Sequence, residues 1–287
     1  MPQSESRDSL PPVPDPLPHR VVDNHCHLDM GPPEKGNGGT ALSVSEALSL
    51  AASVGVARVV QIGCDLAGAR WAVEVADEYA EIVAAVALHP NEAPRLADQG
   101  RLDDGLAEID RLAAADRVRA VGETGLDYYR TEPPGRAAQH ASFRAHIAMA
   151  KKHAKTLVIH DREAHDDVLH ILDEEGAPER VVMHCFSGDA DFARACVERG
   201  FWLSYAGTVT FKNAVPLREA LAVTPHDRVL VETDAPFLTP MPYRGRPNAS
   251  YLVPLTVQSM AQTLDADVAD LCRQIDANTD AAFGGTW

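Results

Sequence analysis

Short apolar runs rich in β-branched residues alternate with longer amphipathic segments along most of the chain. The apolar runs, which predict strands, are residues 21–25, 58–63, 82–89, 118–123, 156–160, 180–184, 201–205 and 228–233. The amphipathic segments, which predict helices, lie near residues 44–54, 68–80, 102–115, 137–153, 165–175, 189–199 and 213–223, with two closing helices over about 250–282. This alternation is typical of parallel βαβ units, and eight units fit a closed (β/α)₈ TIM barrel.

A doubly wound open sheet is the competing architecture, and the polar residues at the strand ends decide between the two. These residues end seven of the predicted strands and are His25, His27, His89, Glu123, His160, His184, Ser204 and Asp234. In a barrel the carboxyl ends of all strands converge on one mouth, whereas strands at opposite edges of an open sheet cannot share a site. We therefore predict a single α/β domain, a TIM barrel, over residues 21–287.

The first twenty residues differ in composition from the rest of the chain. Six of the first eighteen are proline, so residues 1–20 are predicted to be a disordered or polyproline-like leader. The segment lacks the basic and apolar parts of a secretory signal, and no apolar stretch in the chain has the length of a membrane span. Five scattered cysteines without C-x-x-C spacing argue against a disulfide framework and for a reducing, cytoplasmic location.

The charge balance limits how the chain can bind nucleic acid. It has 26 basic and 42 acidic residues, which gives a net charge of −16. Such a chain is not expected to coat nucleic acid through a broad basic face. A phosphate-bearing substrate would have to be bound locally, by metal ions and a few arginines. No obligate protein partner and no membrane association are indicated.

The segment VVDNHCHLDM, residues 21–30, places two histidines one residue apart at the end of an apolar run. Positions i and i+2 of a strand share a face, so both imidazoles point the same way. An isolated H-x-H is usually a pair of ordinary histidines, but other strand ends of this chain supply further donors. The predicted metal ligands are His25, His27, Glu123, His160, His184 and Asp234.

This donor set consists of imidazoles and carboxylates without a thiolate, which suits Zn²⁺, Mn²⁺ or Mg²⁺. Six ligands are more than one tetrahedral zinc needs, so we expect two divalent metal ions bridged by Glu123, which lies midway in strand order. Two ions roughly 3.5–4 Å apart form a clamp for phosphoryl or carbonyl chemistry. The histidines on predicted helices, in the leader and in the loop at His226 are expected to be solvated or locally hydrogen-bonded.

Three basic residues on the predicted mouth loops are candidates for binding phosphate. Arg162 follows the fifth strand, whereas Lys212 and Arg244 lie on later loops. A guanidinium can form a bidentate pair with phosphate, but a solvated loop charge is the alternative for each of the three. Glu232, two residues before Asp234, is expected to share its face and support it.

Ten segments of the chain, in order, resemble motifs of the TatD family of metal-dependent hydrolases, a TIM-barrel branch related to the amidohydrolases. They are VVDNHCHLD, LHPNEA, AVGETGLDYY, a helix with Gln139 and Phe143, LVIHDREA, MHCFSG, LSYAGTVTFK, VLVETDAPFLTP, PYRGRPN and ANTDAAFG. The resemblance extends from about Val21 to Gly284, and only the leader lies outside it.

The resemblance implies two metal sites and a set of substrate contacts. The first site would use His25, His27, Glu123 and Asp234, and the second would use Glu123, His160 and His184. The LHP segment, with His89, would contact substrate, but family members commonly have a second histidine where this chain has Asn91. Asparagine can donate to a phosphate oxygen but cannot carry charge or act as a base.

The known activity of the family is divalent-ion-dependent DNase action, chiefly exonucleolytic from the 3′ ends of single strands. We therefore expect a 3′–5′ exodeoxyribonuclease in which Asp234 orients a water and accepts its proton, while Arg162 neutralises developing charge. Some family members remove D-amino acids from mischarged tRNA, so D-aminoacyl-tRNA deacylase is the alternative enzyme. A metal-dependent binding protein with weak catalysis is the alternative from a different class.

Overall fold

A computed structural model of the chain describes residues 9–30, 42–285 and 287. Eight parallel strands follow one another in sequential order around one sheet. They are β1 (Val21–Cys26), β2 (Val56–Gly63), β3 (Ile82–Val86), β4 (Val118–Asp127), β5 (Thr156–Arg162), β6 (Val181–Met183), β7 (Trp202–Tyr205) and β8 (Val229–Val231). A parallel bridge between Cys26 and Ala235, which follows β8, joins the last strand to the first. The predicted (β/α)₈ TIM barrel is therefore confirmed.

Helices connect the strands and cover the outside of the barrel. They are α1 (Val44–Ser53), α2 (Leu66–Glu78), α3 (Glu92–Asp98), α4 (Leu102–Ala113), α5 (Pro133–Lys152), α6 (His165–Glu175), α7 (Ala190–Glu198), α8 (Val215–Val223), α9 (Val253–Leu264) and α10 (Val268–Phe283). The sequence pattern does not predict α3, because its seven residues are too few for a clear amphipathic period. Within the described residues, no helix combines the length and apolar character needed to cross a bilayer.

Alternate positions along the strands face the interior of the barrel, and the same alternation continues into the mouth. Val158 on β5 and Val182 on β6 belong to one buried apolar cluster. His160 and His184 follow these valines by two positions. Because side chains two positions apart share a face of a strand, the polar groups of the mouth lie directly above an apolar plug.

Gly125 allows β4 and β5 to approach each other closely. Its φ is +135°, and a Cβ atom at this position would lie 2.1 Å from the carbonyl oxygen of His160. Any other residue would therefore push β5 away or strain the backbone. Since β4 carries Glu123 and β5 carries His160, this glycine fixes the distance between two of the predicted ligands.

Residues 9–20 of the predicted leader pack along the barrel. The hydroxyl of Tyr251 donates to the carbonyl oxygen of Pro11 at 2.5 Å, and the amide of Leu17 donates to the carbonyl oxygen of Val54 at 3.0 Å. The side chain of Leu17 is buried in the main core. Of the two alternatives for the leader, these contacts favour an extended, polyproline-like segment over disorder for residues 9–20; residues 1–8 lie outside the described residues.

His146 on α5 is a buried histidine with a local hydrogen-bonding role. Its Nδ1 donates to the carbonyl oxygen of Ser142 at 2.6 Å, and its Nε2 accepts from the amide of Leu88 at 3.1 Å. Burial lowers the pKa of His146 to about 4, although the bond to Ser142 opposes this shift. The ring is therefore neutral in the folded protein over a range in which the unfolded chain takes up a proton.

The free energy of unfolding should consequently fall as the pH drops from about 6.5 towards 4, because only the unfolded state binds the proton in this window. Between pH 7 and pH 5 the loss attributable to His146 should be about 2 kcal/mol. Urea unfolding at the two pH values, for the natural protein and for His146→Gln, measures this contribution. Glutamine can still accept from Leu88 but does not titrate, so an equally steep pH dependence in the variant would contradict the assignment.

Candidate metal centre and active site

Glu123, in the middle of β4, lies at the centre of the predicted ligands. Its Oε1 lies 2.5 Å from His160 Nδ1 and 3.4 Å from His184 Nε2. Its Oε2 lies 3.4 Å from His25 Nε2. The residue is only 4% exposed, so it has little contact with solvent. The two oxygens face different imidazoles, which is the arrangement required of a bridging carboxylate.

Asp234 approaches the same centre from the loop after β8. Its Oδ1 lies 3.4 Å from His27 Nε2 and 3.8 Å from His25 Nε2. Its φ of 54° lies in the left-handed region, which is uncommon for a residue other than glycine. The amide of Asp234 donates to the carbonyl oxygen of His25 at 2.9 Å, which holds this conformation at the junction of β8 and β1.

The described donors fit a divalent metal centre. Among the described residues, four groups of three have ligand atoms within 4.8 Å of one another: His25, His27 and Asp234; His89, Glu123 and His160; His25, His184 and Glu232; and His27, Cys64 and Glu123. His25 is fully buried, yet neither of its ring nitrogens has a hydrogen-bond partner among residues 9–30, 42–285 and 287. A buried imidazole in this state is costly unless it binds another group. The donor types and this unsatisfied ring together are suited to metal binding.

His184 and His89 are arranged differently from what the resemblance implies. The ring of His184 stacks on that of His25, with 3.5 Å between centroids, although its Nε2 still faces Glu123. His89, expected only as a substrate contact, places its Nε2 3.4 Å from Glu123 Oε1. The donors around Glu123 Oε1 therefore include His89 as well as His160 and His184.

Both central carboxylates are ionised despite their burial. Burial raises the pKa of Glu123, but the neighbouring imidazoles of His184 and His89 outweigh it and hold the pKa well below its usual value. Burial also raises the pKa of Asp234, and here the hydrogen bond with His27 and the charge of His184 lower the pKa overall. The mouth therefore contains two buried negative charges that require compensation.

The pKa values of the two stacked imidazoles, His25 and His184, shift in opposite directions. Burial lowers the pKa of His25, and the adjacent His184 lowers it further. Burial also lowers the pKa of His184, but the carboxylates of Glu232 and Glu123 raise it well above its usual value. His25 is thus held neutral, with a ring nitrogen able to act as a ligand, whereas His184 would have to release its extra proton before its Nε2 could bind a metal ion.

A carboxylate orients the ring of His184 from its other side. Glu232 Oε1 lies 2.8 Å from His184 Nδ1 and accepts from the amide of Cys185 at 3.1 Å. Sequence reasoning paired Glu232 with Asp234, because the two residues share a strand face. The structure places it against His184 instead, where it fixes which ring nitrogen faces Glu123.

Asp127 orients the ring of His160, as Glu232 orients that of His184. Sequence reasoning missed Asp127. Its Oδ2 lies 3.3 Å from His160 Nε2. Burial lowers the pKa of His160, but hydrogen bonds with Asp127 and Glu123 raise it to about 9. The available signal was the position of Asp127 four residues beyond Glu123, at the end of an unusually long strand.

A thiol also lies beside the nitrogen and oxygen donors. Cys64 Sγ donates to Glu123 Oε2 at 3.5 Å and lies 4.0 Å from His27 Nδ1. Burial raises the pKa of the Cys64 thiol well above its usual value, and the charge of Glu123 adds to this shift. The expected set of imidazoles and carboxylates is therefore accompanied by a protonated sulfur that the cysteine spacing did not predict.

The centre opens into a cavity of about 650 Å³ at the carboxyl ends of the strands. Eight predicted site residues line it, namely His27, His89, Asn91, Glu123, His160, Arg162, His184 and Asp234. His25 lies beneath them. Among the described residues, the lining does not include Lys212 or Arg244. Lys212 is exposed, and the guanidinium of Arg244 lies 4.3 Å above the ring of Phe211.

Asn91 lines the cavity, but its side chain is already engaged. Its Nδ2 donates to Asp127 Oδ2 at 3.1 Å, and its Oδ1 accepts from the hydroxyl of Thr131 at 3.1 Å. Because Asp127 in turn contacts His160, the amide of Asn91 supports the orientation of a predicted ligand. The expected direct contact between Asn91 and a phosphate remains a prediction.

Two arginines lie at the rim of the cavity. Arg162 places its guanidinium 3.9 Å above the exposed ring of Tyr129. Arg130, which sequence reasoning missed, is exposed and lines the same cavity. Arg130 has no distinguishing sequence signal, since its position depends on the course of the loop after β4.

Comparison with known proteins agrees with this geometry. The family model described as TatD related DNase matches residues 22–284. An uncharacterized metal-dependent hydrolase, TatD, of Mycobacterium tuberculosis is 42% identical over 274 residues, 93% of this chain and 99% of that protein. An uncharacterized metal-dependent hydrolase, YabD, of Bacillus subtilis is 36% identical over 265 residues, 92% of this chain and 98% of that protein.

A solved structure shows the same relationship in three dimensions. The Escherichia coli TatD homologue YjjV superposes with a TM-score of 0.81 and 26% identity, covering 92% of this chain and 98% of that one. An organophosphorus hydrolase variant, at 15% identity and a TM-score of 0.63, shares the fold alone. The family match over residues 22–284 and the identities of the two relatives establish that this chain belongs to the TatD family of metal-dependent hydrolases.

Proposed function

We propose that this protein is a divalent-metal-dependent phosphodiesterase that removes nucleotides from the 3′ ends of single-stranded DNA. The observation that carries the proposal is the position of Arg162 at the rim of a cavity whose floor is the histidine and carboxylate cluster. A guanidinium beside a metal-type donor set is suited to an anionic phosphate ester. The DNase description of the family supports the same substrate class.

Two divalent ions are part of the proposal. His25, His27, Glu123 and Asp234 would hold one, and Glu123, His160 and His184 would hold the other. Such ions lower the pKa of coordinated water and polarise phosphoryl oxygens when bound.

The residues of the chain have separate roles around the scissile phosphate. Asp234 is ionised, and its side chain is 15% exposed towards the cavity, so its free oxygen can orient a water and accept its proton. Arg162, stacked on Tyr129, presents a preoriented guanidinium to the phosphate oxygens. Glu232 and Asp127 keep the rings of His184 and His160 in fixed orientations.

The net charge and the size of the cavity both favour a single strand. At −16 the chain has little long-range attraction for a duplex, so affinity must come from the mouth. A cavity of about 650 Å³ can receive one nucleotide at a time. A flexible strand end enters it without the bending energy of several kcal/mol that the middle of a stiff duplex would require.

The proposal is tested with single-stranded oligonucleotides labelled at their 5′ ends. They should shorten progressively in the presence of a divalent ion. Closed circles should react poorly because they offer no 3′ end, and blunt duplexes should react at least about tenfold more slowly because the stiff duplex must be deformed to enter the cavity. D-Aminoacyl-tRNA should lose its amino acid far more slowly than the strand loses nucleotides. The opposite ranking, with both activities abolished in Glu123→Gln, would assign the site to a deacylase instead.

A further inference from the structure

The rim of the cavity differs in chemistry from one side to the other. Phe237 follows β8 and Arg130 follows β4, and in a barrel of eight sequential strands these two strands lie opposite each other. Phe237 and Leu238 form an apolar edge beyond Asp234, whereas Arg130 forms a cationic edge beyond Asp127. The ligand cluster lies between the two edges.

Phe237 is an exposed aromatic side chain next to the reacting centre. It is 43% exposed, and its ring centroid lies 6.3 Å from that of His27. The amide of Phe237 donates to the carbonyl oxygen of Asp234 at 2.8 Å, so the ring is placed close to that carboxylate. An exposed aromatic ring in a cavity is a platform on which a base can stack, whatever its identity.

Arg130 is an exposed cation at the rim of the cavity. In the part of the chain that the structure describes, no carboxylate pairs with its guanidinium, although acidic residues are in excess. Its amide donates to Asp127 Oδ1 at 2.8 Å, which fixes the loop that carries it. Arg130 lines both the main cavity and an adjoining groove of about 600 Å³, whose other residues are Asn91, Pro94, Thr131, Glu132, Pro134 and Gly135. Glu132 is the one acidic residue among the described residues of this groove, whereas Arg130 is the group there that can attract a phosphate.

We propose that a single strand binds across this mouth in one direction. Its 3′-terminal base stacks on Phe237, the scissile phosphate lies over the ligand cluster, and a phosphate on the 5′ side contacts Arg130 before the strand enters the adjoining groove. This inference rests on the proposed phosphodiesterase function. The reverse direction would place the phosphate chain against the apolar edge and leave Arg130 beside a base.

The experiment measures hydrolysis of each of four substrates by each of five proteins. The substrates are a dinucleotide and a hexanucleotide of deoxyadenylate, each with a normal or an abasic 3′-terminal residue. The proteins are the natural chain, Phe237→Ala, Arg130→Gln, Arg130→Lys and Arg111→Gln. Arg111 is the matched control, because it is 71% exposed on α4 and its loss changes the net charge equally. Metal content and circular dichroism confirm that each variant is folded and loaded.

The two edges should affect different parts of the substrate. Phe237→Ala should lower kcat/KM on the normal terminus by about tenfold or more, and should have little effect on the abasic terminus. Arg130→Gln should raise KM for the hexanucleotide and reduce the salt dependence of its binding by about one charge, while sparing the dinucleotide. Arg130→Lys should restore most of the salt dependence, and Arg111→Gln should change neither quantity.

Two results would contradict the proposed strand direction while hydrolysis proceeds normally. In the first, Phe237→Ala changes kcat/KM equally for the normal and the abasic terminus. In the second, Arg130→Gln changes KM equally for the dinucleotide and the hexanucleotide. The phosphodiesterase function would stand in either case. If no oligonucleotide is hydrolysed, the proposed function fails, and binding of the hexanucleotide to the Ca²⁺-loaded protein then decides the orientation. Binding that depends on the terminal base and loses this dependence in Phe237→Ala supports the orientation, and any other result overturns it.

Discussion

Glu123→Gln is expected to reduce hydrolysis more than the loss of any single histidine of the mouth. The two carboxylate oxygens face different imidazoles, so one change weakens both groups of ligands. Glutamine keeps the shape of the side chain but replaces one acceptor oxygen with an NH₂ group, which cannot bind a metal ion. The decrease in kcat should therefore exceed the roughly 10–100-fold typical of residues that only orient a ligand.

Glu232→Gln is the matched control for this substitution. Glu232 is also a buried glutamate at the mouth, but it contacts His184 Nδ1 and the amide of Cys185 rather than several ligands. Glu232→Gln should lower kcat by about 10–100-fold and leave most of the metal bound. Metal analysis of both variants, together with steady-state kinetics, separates the two roles. Equal effects of the two substitutions on metal content would contradict the bridging position of Glu123.

Removal of divalent ions is expected to abolish hydrolysis and to destabilise the barrel. A ligand that binds only the folded state adds about 2.7 kcal/mol to the free energy of unfolding at a concentration of 100 times Kd. The unsatisfied ring of His25 and the buried charges of Glu123 and Asp234 give this linkage a structural basis. Chelation should therefore lower Tm by several degrees. Mg²⁺, Mn²⁺ and Zn²⁺ should restore activity to different extents.

The Glu123→Gln protein provides the control for the stability measurement. Because its metal binding is weakened, chelation should change its Tm much less than that of the natural protein. Full activity after exhaustive chelation, with metal analysis showing that the protein is free of ions, would exclude the two-metal hypothesis. A Tm that falls equally in both proteins would show that the chelator acts elsewhere.

The residues at the strand ends were predictable because the alternation of strands continues into the mouth. His160 and His184 follow buried valines at a spacing of two, so their direction is fixed once the strands are located. The side-chain directions of Glu123 and His25 are likewise determined by the apolar runs that precede them. The barrel and the convergence of these side chains follow from local pattern, whereas their role as metal ligands remains a prediction.

The surroundings of these donors depend on long-range packing, and the sequence pattern carries little information about them. Cys64 lies beside Glu123 because β2 and β4 flank β3 on either side, so groups on or just after these two strands meet in the mouth, a relation that no local spacing encodes. Arg130 lines the cavity whereas Lys212 does not, although both are basic residues on loops that follow strands. The course of each loop decides the outcome, and it is determined by contacts such as the one between Arg130 and Asp127.

The seam between β1 and β8 makes the hydrolase site the last part of the barrel to be completed. His25 and His27 belong to the first strand, and Asp234 follows the last one, yet the amide of Asp234 bonds directly to His25. A chain emerging from the ribosome holds the two histidines early but cannot form this contact until residue 234 has been released. The proposed site is therefore incomplete until the eighth strand has been made, and premature termination before that strand yields fragments without Asp234, the proposed proton acceptor.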